Sequence, residues 1–382
     1  MEHLAERLGV GARHLRRLFL RHLGATPNAV VQTRRVHFAK KLIDETNLSM
    51  TELAIAAGYG SVRRFNAAIR NTYQRTPTQI RAIARQKCAL PANHYLIRLR
   101  FRPPYDWSGM LAHLAASATP GVESVDESGY RRTISLNGVD GCVEVALDNM
   151  QPALCARIQF GDPRALFGIV ERIRALFDLN ADWAAIVKVL SADPLLASRI
   201  KATPGRRVPG CWNGFELAVR AVLARHARAD EAAALAGRLA DRFGRAFSAG
   251  NGLSRLFPEA SRLSEADLSC AGLRAPRARS IRALASAVSG GRLRFDGITD
   301  SRNFLARLKE IPGIDEWTAQ TVAMRALGEP DAFPSESTAH SGQSESWRPW
   351  RAYAAMYLQD ELKTEARATL RRTRSNSREA RA

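Results

Sequence analysis

At 382 residues, 46% hydrophobic and 25% charged, the chain is long enough for two or three domains with cores of their own, and its make-up excludes a disordered or collagen-like polymer. No long uncharged apolar run or secretory segment occurs, and the five cysteines (Cys88, Cys142, Cys155, Cys211, Cys270) lack CxxC or His-paired spacing. Those features argue against a membrane span, a disulfide framework and a zinc site, and for a reducing cytoplasm. A net charge of +20 selects a polyanionic partner, nucleic acid above all, because neutralised phosphates release counterions; the alternative is a solvated arginine-rich surface.

Charge is concentrated at the start, where residues 1–90 carry 16 Lys/Arg against 5 Asp/Glu, a net of +11. Leu4-Ala-Glu-Arg-Leu-Gly-Val-Gly11 recurs 49 residues on as Leu53-Ala-Ile-Ala-Ala-Gly-Tyr-Gly60. Each copy is a short helix, a Gly turn and a longer amphipathic helix. In the first, Leu15, Leu18 and Phe19 face inward and Arg13, Arg16 and Arg17 outward. In the second, Ser61 caps a helix with Phe65, Ile69 and Tyr73 inside and Arg63, Arg64 and Asn66 exposed near its start. Such N-terminal turns enter a major groove, Arg pairing with guanine and Asn with adenine. Pro27–Glu45 reads as one connecting helix with Val31, Val36, Ala39 and Leu42 on its apolar face, a rigid spacer for readers about 34 Å apart. This region, "GYGSVRRFNAAIRNTYQRTP" above all, resembles an AraC-type double helix–turn–helix. Met1 falls almost inside the first reader helix, where that family has a further helix. Leu4 and Leu8 are therefore expected to lack apolar cover and the first reader to be the less stable.

The middle of the chain alternates as strands do. His94–Arg102, Tyr130–Leu136, Cys142–Leu147 and Leu154–Phe160 are expected strands, with helices at Trp107–Ala118 and Asp162–Phe177. Asn137-Gly138 and Asp140-Gly141 are hairpin-turn pairs. "FRPPYDW" and "GYRRTISL" resemble the N-terminal α/β domain of the 3-methyladenine DNA glycosylase II branch; no chemistry-bearing constellation is found there, and a scaffold or DNA-flank role is expected.

From about Asn180 the pattern is helical throughout. Two apolar-periodic segments, Phe304–Ile311 and Trp317–Leu327, flank a short turn at Gly313, a hairpin able to aim backbone N–H groups at a phosphate. Ile311-Pro-Gly-Ile-Asp-Glu-Trp-Thr-Ala319 followed by Asp331-Ala-Phe-Pro334 resembles the helix–hairpin–helix of the same glycosylase branch. That resemblance implies DNA contact through Gly313, Ile314, Asp315 and Thr318, and a base pocket built from Trp317, Trp350 and Tyr353. Trp317 stands where lyase-type relatives carry an amine, so no Schiff base is expected. Several positions depart from the family. "VPGCWNGFELAVRAVL" (Val208–Leu223) runs into Arg225 and His226 where relatives have the Gln that helps fill the gap left by an extruded base; the alternative reading of these two residues is simply a basic helix end. Asp315 replaces a glycine; Asp tolerates a left-handed backbone better than most residues, but its carboxylate beside an incoming phosphate would lower phosphate affinity. The family's catalytic aspartate aligns with Ser337. Glu336 is the nearest substitute, but on a helix it projects about 100° away. Asp331 aligns with a structural Asp of the family, which implies a cap or hydrogen-bond acceptor rather than a catalyst, and the polar stretch before Trp347 reads as loop.

The expected fold class is multidomain and mainly α: a double helix–turn–helix at 1–88, a small antiparallel-sheet α/β domain at 93–178, an all-α helix–hairpin–helix domain at 179–362 and a basic tail at 363–382. The expected function is a DNA-binding protein of the alkylation-damage response, resembling a transcription regulator fused to an alkylbase DNA glycosylase, with hydrolysis weak or lost. Two readings compete with it. One is a fully active glycosylase using Glu336 or another acid; the other is a decayed product with neither activity. The expected partner is double-stranded DNA, met by a nucleoid-associated monomer without cofactor, metal or membrane.

Overall fold

The computed structural model describes residues 2–83, 91–250, 252–298, 300–334 and 342–358. Ser337, Glu336 and the basic tail at 363–382 lie outside the described residues. Helices α1 (Glu2–Arg7), α2 (Ala12–Leu23), α3 (Pro27–Glu45), α4 (Met50–Ala56), α5 (Val62–Tyr73) and α6 (Pro77–Ile83) come first. Strand β1 (His94–Arg100), helix α7 (Trp107–Ser117) and strands β2 (Glu123–Asp126), β3 (Gly129–Leu136), β4 (Val139–Leu147) and β5 (Ala153–Phe160) follow, in an antiparallel sheet ordered β1-β5-β4-β3-β2. Helices α8 (Leu166–Leu176), α9 (Trp183–Leu190), α10 (Pro194–Ala202), α11 (Gly214–Ala224) and α12 (Ala229–Phe243) lead to the short pair β6 (Ala246–Gly250) and β7 (Leu253–Arg255). Helices α13 (Ala260–Glu265), α14 (Ala275–Ser289), α15 (Ser301–Lys309) and α16 (Glu316–Arg325) complete the list, with further helix at 351–358.

Local chemistry explains the duplicated helices. α2 and α5 each end on a left-handed residue, Gly24 at φ 66° and Gln74 at φ 54°. They start differently. Ser61 accepts a hydrogen bond from Arg64 N at 3.3 Å, whereas Gly11 offers α2 no side-chain cap. An oxygen-bearing cap stabilises a helix by about 1 kcal/mol over a residue such as Ala, and by a few tenths over Gly. α2 is thus the less firmly started helix, and Leu4, Leu8, Leu20 and Leu23 in the same copy are exposed. α3 is capped by Thr26 and opens on Pro27, as its sequence suggests; Val36, Phe38, Ala39, Leu42 and Ile43 are buried. Val31 departs from expectation and is exposed, lying off the buried side of α3 between the buried Pro27 and Val36.

Other expectations are adjusted too. The β3–β4 turn is Asn137-Gly138 alone, both at positive φ. Asp140-Gly141 belongs to β4, where a Cβ on Gly141 would collide with the backbone of Gln159. The first expected strand stops at Arg100, and a 3-10 turn at Pro163–Ala165 precedes α8. The β6–β7 pair interrupts the all-helical expectation beyond Asn180, its strands being too short to show a period of two.

The chain divides into two compact units, Met1–Leu99 with Ile134–Val145 and Cys155–Glu171, and Arg100–Thr133 with Ala146–Leu154 and Arg172–Ala382. In the first, α3 lies along the outer edge of β1. Lys41 donates to Arg98 O, and Glu45 accepts from Arg98 N at 2.9 Å. Arg34 pairs with Glu171 at 2.5 Å, and Phe38 meets Phe167 edge to face at 5.1 Å.

In the second unit, α16 is walled by apolar side chains on two sides. Ala319 and Val322 join a cluster from α11, α12, α14 and α15, while Ala323 and Met324 join another with α9, α10 and the helix at 351–358. A buried charge network ties β2 and β3 to α11. Arg132 contacts Glu216 at 2.7 Å and Glu123 at 3.7 Å; Arg220 contacts Glu123 at 2.9 Å and Glu216 at 3.3 Å. Tyr130 donates to Glu123 at 2.6 Å. Burial alone would raise the Glu123 pKa, but Arg220 and Arg132 outweigh it and hold the carboxyl below its ordinary range.

Removing one member of such a network strands a charge without solvent. Glu216→Ala is expected to cost about 3–5 kcal/mol in denaturant unfolding at neutral pH. Lys309→Ala, which breaks the exposed 3.0 Å pair with Glu316, is expected to cost under about 1 kcal/mol. Equal losses would contradict the assignment of the network as a stability determinant.

Candidate nucleic-acid interface

Within the first unit, Arg13, Arg16 and Arg17 are exposed along α2, and Arg63, Arg64 and Asn66 along the start of α5. Their inward neighbours behave as the helical period requires, with Leu15, Phe65 and Ile69 buried. Leu18 and Phe19 are half-buried. Tyr73 is half-buried as well, its hydroxyl 3.0 Å from His37 Nδ1, so the inward stripe of α5 weakens at its end. Both arginine-bearing faces stand clear of the apolar contacts that hold their helices.

Within the second unit, the α15–α16 hairpin has Gly313 at its apex with φ +83°, and a Cβ there would run into Ser280 Oγ. Glycine is needed on both counts. Pro312 and Gly313 are exposed, whereas Ile311 and Ile314 are buried and anchor the turn. Asp315 caps α16: its carboxylate accepts from Thr318 N at 2.9 Å and Thr318 Oγ1 at 2.7 Å. Its backbone is extended, φ −94° and ψ 179°, so the left-handed conformation expected of a glycine substitute does not occur. The cap role explains this, since an N-cap takes β-region dihedrals.

The same carboxylate forms an ion pair with Arg225 Nε. Arg225 caps the C-terminus of α11, and its guanidinium sits 5.7 Å from the Trp317 ring centroid. Burial would lift the Asp315 pKa, but Thr318 and Arg225 together hold the carboxyl below its usual range. Two side chains ninety residues apart in the sequence thus meet in one contact. Next to it His226 takes φ 55°, and Arg277 donates to Arg225 O at 2.8 Å.

Trp350 and Tyr353 pack edge to face at 5.8 Å. Tyr353 is buried and its hydroxyl donates to Asp178 Oδ2 at 2.8 Å, which leaves that hydroxyl engaged. Asp178, Tyr353, Val208, Cys211, Met324 and Arg325 line a cavity of about 170 Å³. Asp331 is held by Arg351 at 2.8 Å and Arg348 at 2.5 Å, the acceptor role expected of it. Asp178 escaped sequence reasoning, since an acid following an amphipathic helix carries no distinguishing neighbour. A tyrosine 175 residues away defines it.

Burial raises the Asp178 pKa to about 6 despite the donors Tyr353 and Val208 N. A folded carboxyl that holds its proton above the unfolded value of about 3.9 costs stability as pH rises from near 4 through 6, and the cost is full above that window. Asp178→Asn keeps an acceptor for both donors. It is therefore expected to be more stable than the parent by about 2–3 kcal/mol at pH 7.5, with the difference vanishing near pH 4. A pH-independent difference in denaturant titrations would exclude this account.

Comparison with known proteins places these features in context. The family model for a helix-turn-helix domain matches residues 4–83, and the one for the AlkA N-terminal domain matches residues 96–213. The probable bifunctional transcriptional activator/DNA repair enzyme AlkA of Mycobacterium tuberculosis (strain CDC 1551 / Oshkosh) is 36% identical over 380 residues, taking in 93% of this chain and 75% of that protein. DNA-3-methyladenine glycosylase 2 of Escherichia coli (strain K12) is 31% identical over 283 residues, 68% of this chain and 95% of that one. Among solved structures, the 3-methyladenine DNA-glycosylase from Archaeoglobus fulgidus matches with a TM-score of 0.58 and 19% identity, covering 68% of this chain and 96% of that one.

Proposed function

The chain belongs to the AlkA family, in which an AraC-type helix–turn–helix is joined to a 3-methyladenine glycosylase II-like protein, and we propose that it is a duplex-DNA-binding regulator of the alkylation-damage response whose base-excision activity is weak or lost. In this reading residues 1–88 are the reader, 93–178 a scaffold, 179–362 the glycosylase-like domain and 363–382 a basic tail. Arg13, Arg16, Arg17, Arg63, Arg64 and Asn66 meet the duplex in its major grooves. Gly313, Ile314, Asp315 and Thr318 form the hairpin contact, and Trp317 and Trp350 flank any extruded base, with Tyr353 contributing only its ring.

The observation that carries the hydrolytic half is the engagement of the acids around the family's catalytic position. Cleaving an N-glycosidic bond develops positive charge on the sugar, which an unpaired carboxylate stabilises. Ser337, at that position, has no charge. On either side, Asp331 is neutralised by Arg348 and Arg351, Glu345 by the same two arginines, and Glu329 accepts from Ser301. Glu336 is the remaining acid of the intervening segment, and it supports the alternative of a working glycosylase.

Release of 3-methyladenine from alkylated duplex separates the two. Ser337→Asp is expected to raise that release by about 10²-fold, the scale of one electrostatic stabiliser. Substantial release by the parent chain, abolished in Glu336→Gln, would establish the alternative instead. For the reader, Arg63→Ala and Arg64→Ala are each expected to cost about 1–3 kcal/mol on a duplex recovered by selection, and less on random duplex. Equal losses on both duplexes would reduce these arginines to phosphate contacts.

A further inference from the structure

At the contact between Arg225 and Asp315 a helix start and an exposed glycine turn coincide with a fixed cation. Helix starts leave N–H groups without carbonyl partners and attract anions. Here the chain supplies its own anion: Asp315 takes the N–H and hydroxyl of Thr318 and spends its other oxygen on Arg225 Nε. The guanidinium lies over Trp317, with Nη1 3.1 Å from His226 Nδ1. Arg277 fixes the backbone beneath it. The side chains of Arg225 and Asp315 are 21% and 39% exposed, so solvent and a docking ligand reach the pair. A phosphate approaching this helix start meets a carboxylate, whose repulsion the Arg225 cation offsets.

We propose that Arg225 and Asp315 act as one exchangeable unit: Asp315 parks the Arg225 guanidinium against Trp317 in the free protein, and a backbone phosphate of duplex DNA takes Arg225 over when the hairpin docks. The phosphate contact of the hairpin is then carried by a side-chain cation supplied from the end of α11, rather than by backbone donors alone. This rests on the duplex-binding reading and adds the residue that makes the contact. It also makes Asp315 a positioning residue that competes with the ligand, which a purely structural cap would not do.

The two partners therefore predict opposite signs. Affinity of the full chain for a duplex without operator, measured across a salt series, reads both magnitude and the number of phosphates neutralised. Asp315→Asn keeps the cap but removes the competitor, and is expected to tighten binding about 3–10-fold with the salt dependence steeper by about one phosphate. Arg225→Gln leaves Asp315 uncompensated and is expected to weaken binding about 10-fold with a shallower salt dependence. The double variant is expected to fall between the two single ones, and Arg225→Lys to restore the parent salt dependence.

Weakening by both single variants, or unchanged salt dependence in both, overturns the proposal and leaves a structural ion pair. No binding of any duplex by the parent chain overturns the duplex-binding reading itself, and the proposal with it. The two failures are distinguished by the parent measurement alone.

Discussion

The buried exchange of charge among Glu123, Arg132, Glu216 and Arg220 holds much of the second unit in place. Two acids and two arginines, nearly free of solvent, connect a short strand pair to α11. α11 then carries this restraint along its length. Glu216 sits in its first turn, Val219, Val222 and Leu223 pack into the shared core, and Arg225 closes its end. Since α16 packs on the same core through Ala319 and Val322, the geometry at the hairpin descends from ion pairs set deep in the protein. Interiors are close-packed, so such placement is transmitted rather than absorbed.

Features written in neighbouring residues could be read before any coordinates. Ser61 starts α5 by local capping chemistry, Pro27 opens α3, and Gly313 marks the hairpin because no other residue tolerates its backbone and its neighbour Ser280 together. Features made by distant residues could not. Arg225 meets Asp315 across 90 positions, Arg132 meets Glu216 across 84, and Tyr353 meets Asp178 across 175. Each side chain alone looks like an ordinary surface charge or core aromatic. Val31 shows the intermediate case, in which periodicity found the helix but misassigned one position of its buried side.

The duplicated helices illustrate how one residue differentiates copies. The sequence repeat is offset by 49 at its start, yet α2 and α5 are aligned at 50, Leu15 with Phe65. The extra residue is Ser61, the cap. With it the second copy has a firmly capped start, whereas the first relies on glycine and leaves more leucine surface uncovered.

The way α3 lies along β1 has a consequence for any shortened form of the chain. Lys41 and Glu45 occupy the outward C=O and N–H of Arg98, on a strand at the end of its sheet. Without residues 27–45 that strand border would be open to pairing with a foreign strand, the route by which uncapped sheets self-associate. α3 thus covers the border of the sheet, and a fragment beginning at β1 would carry a sticky seam that the longer chain conceals.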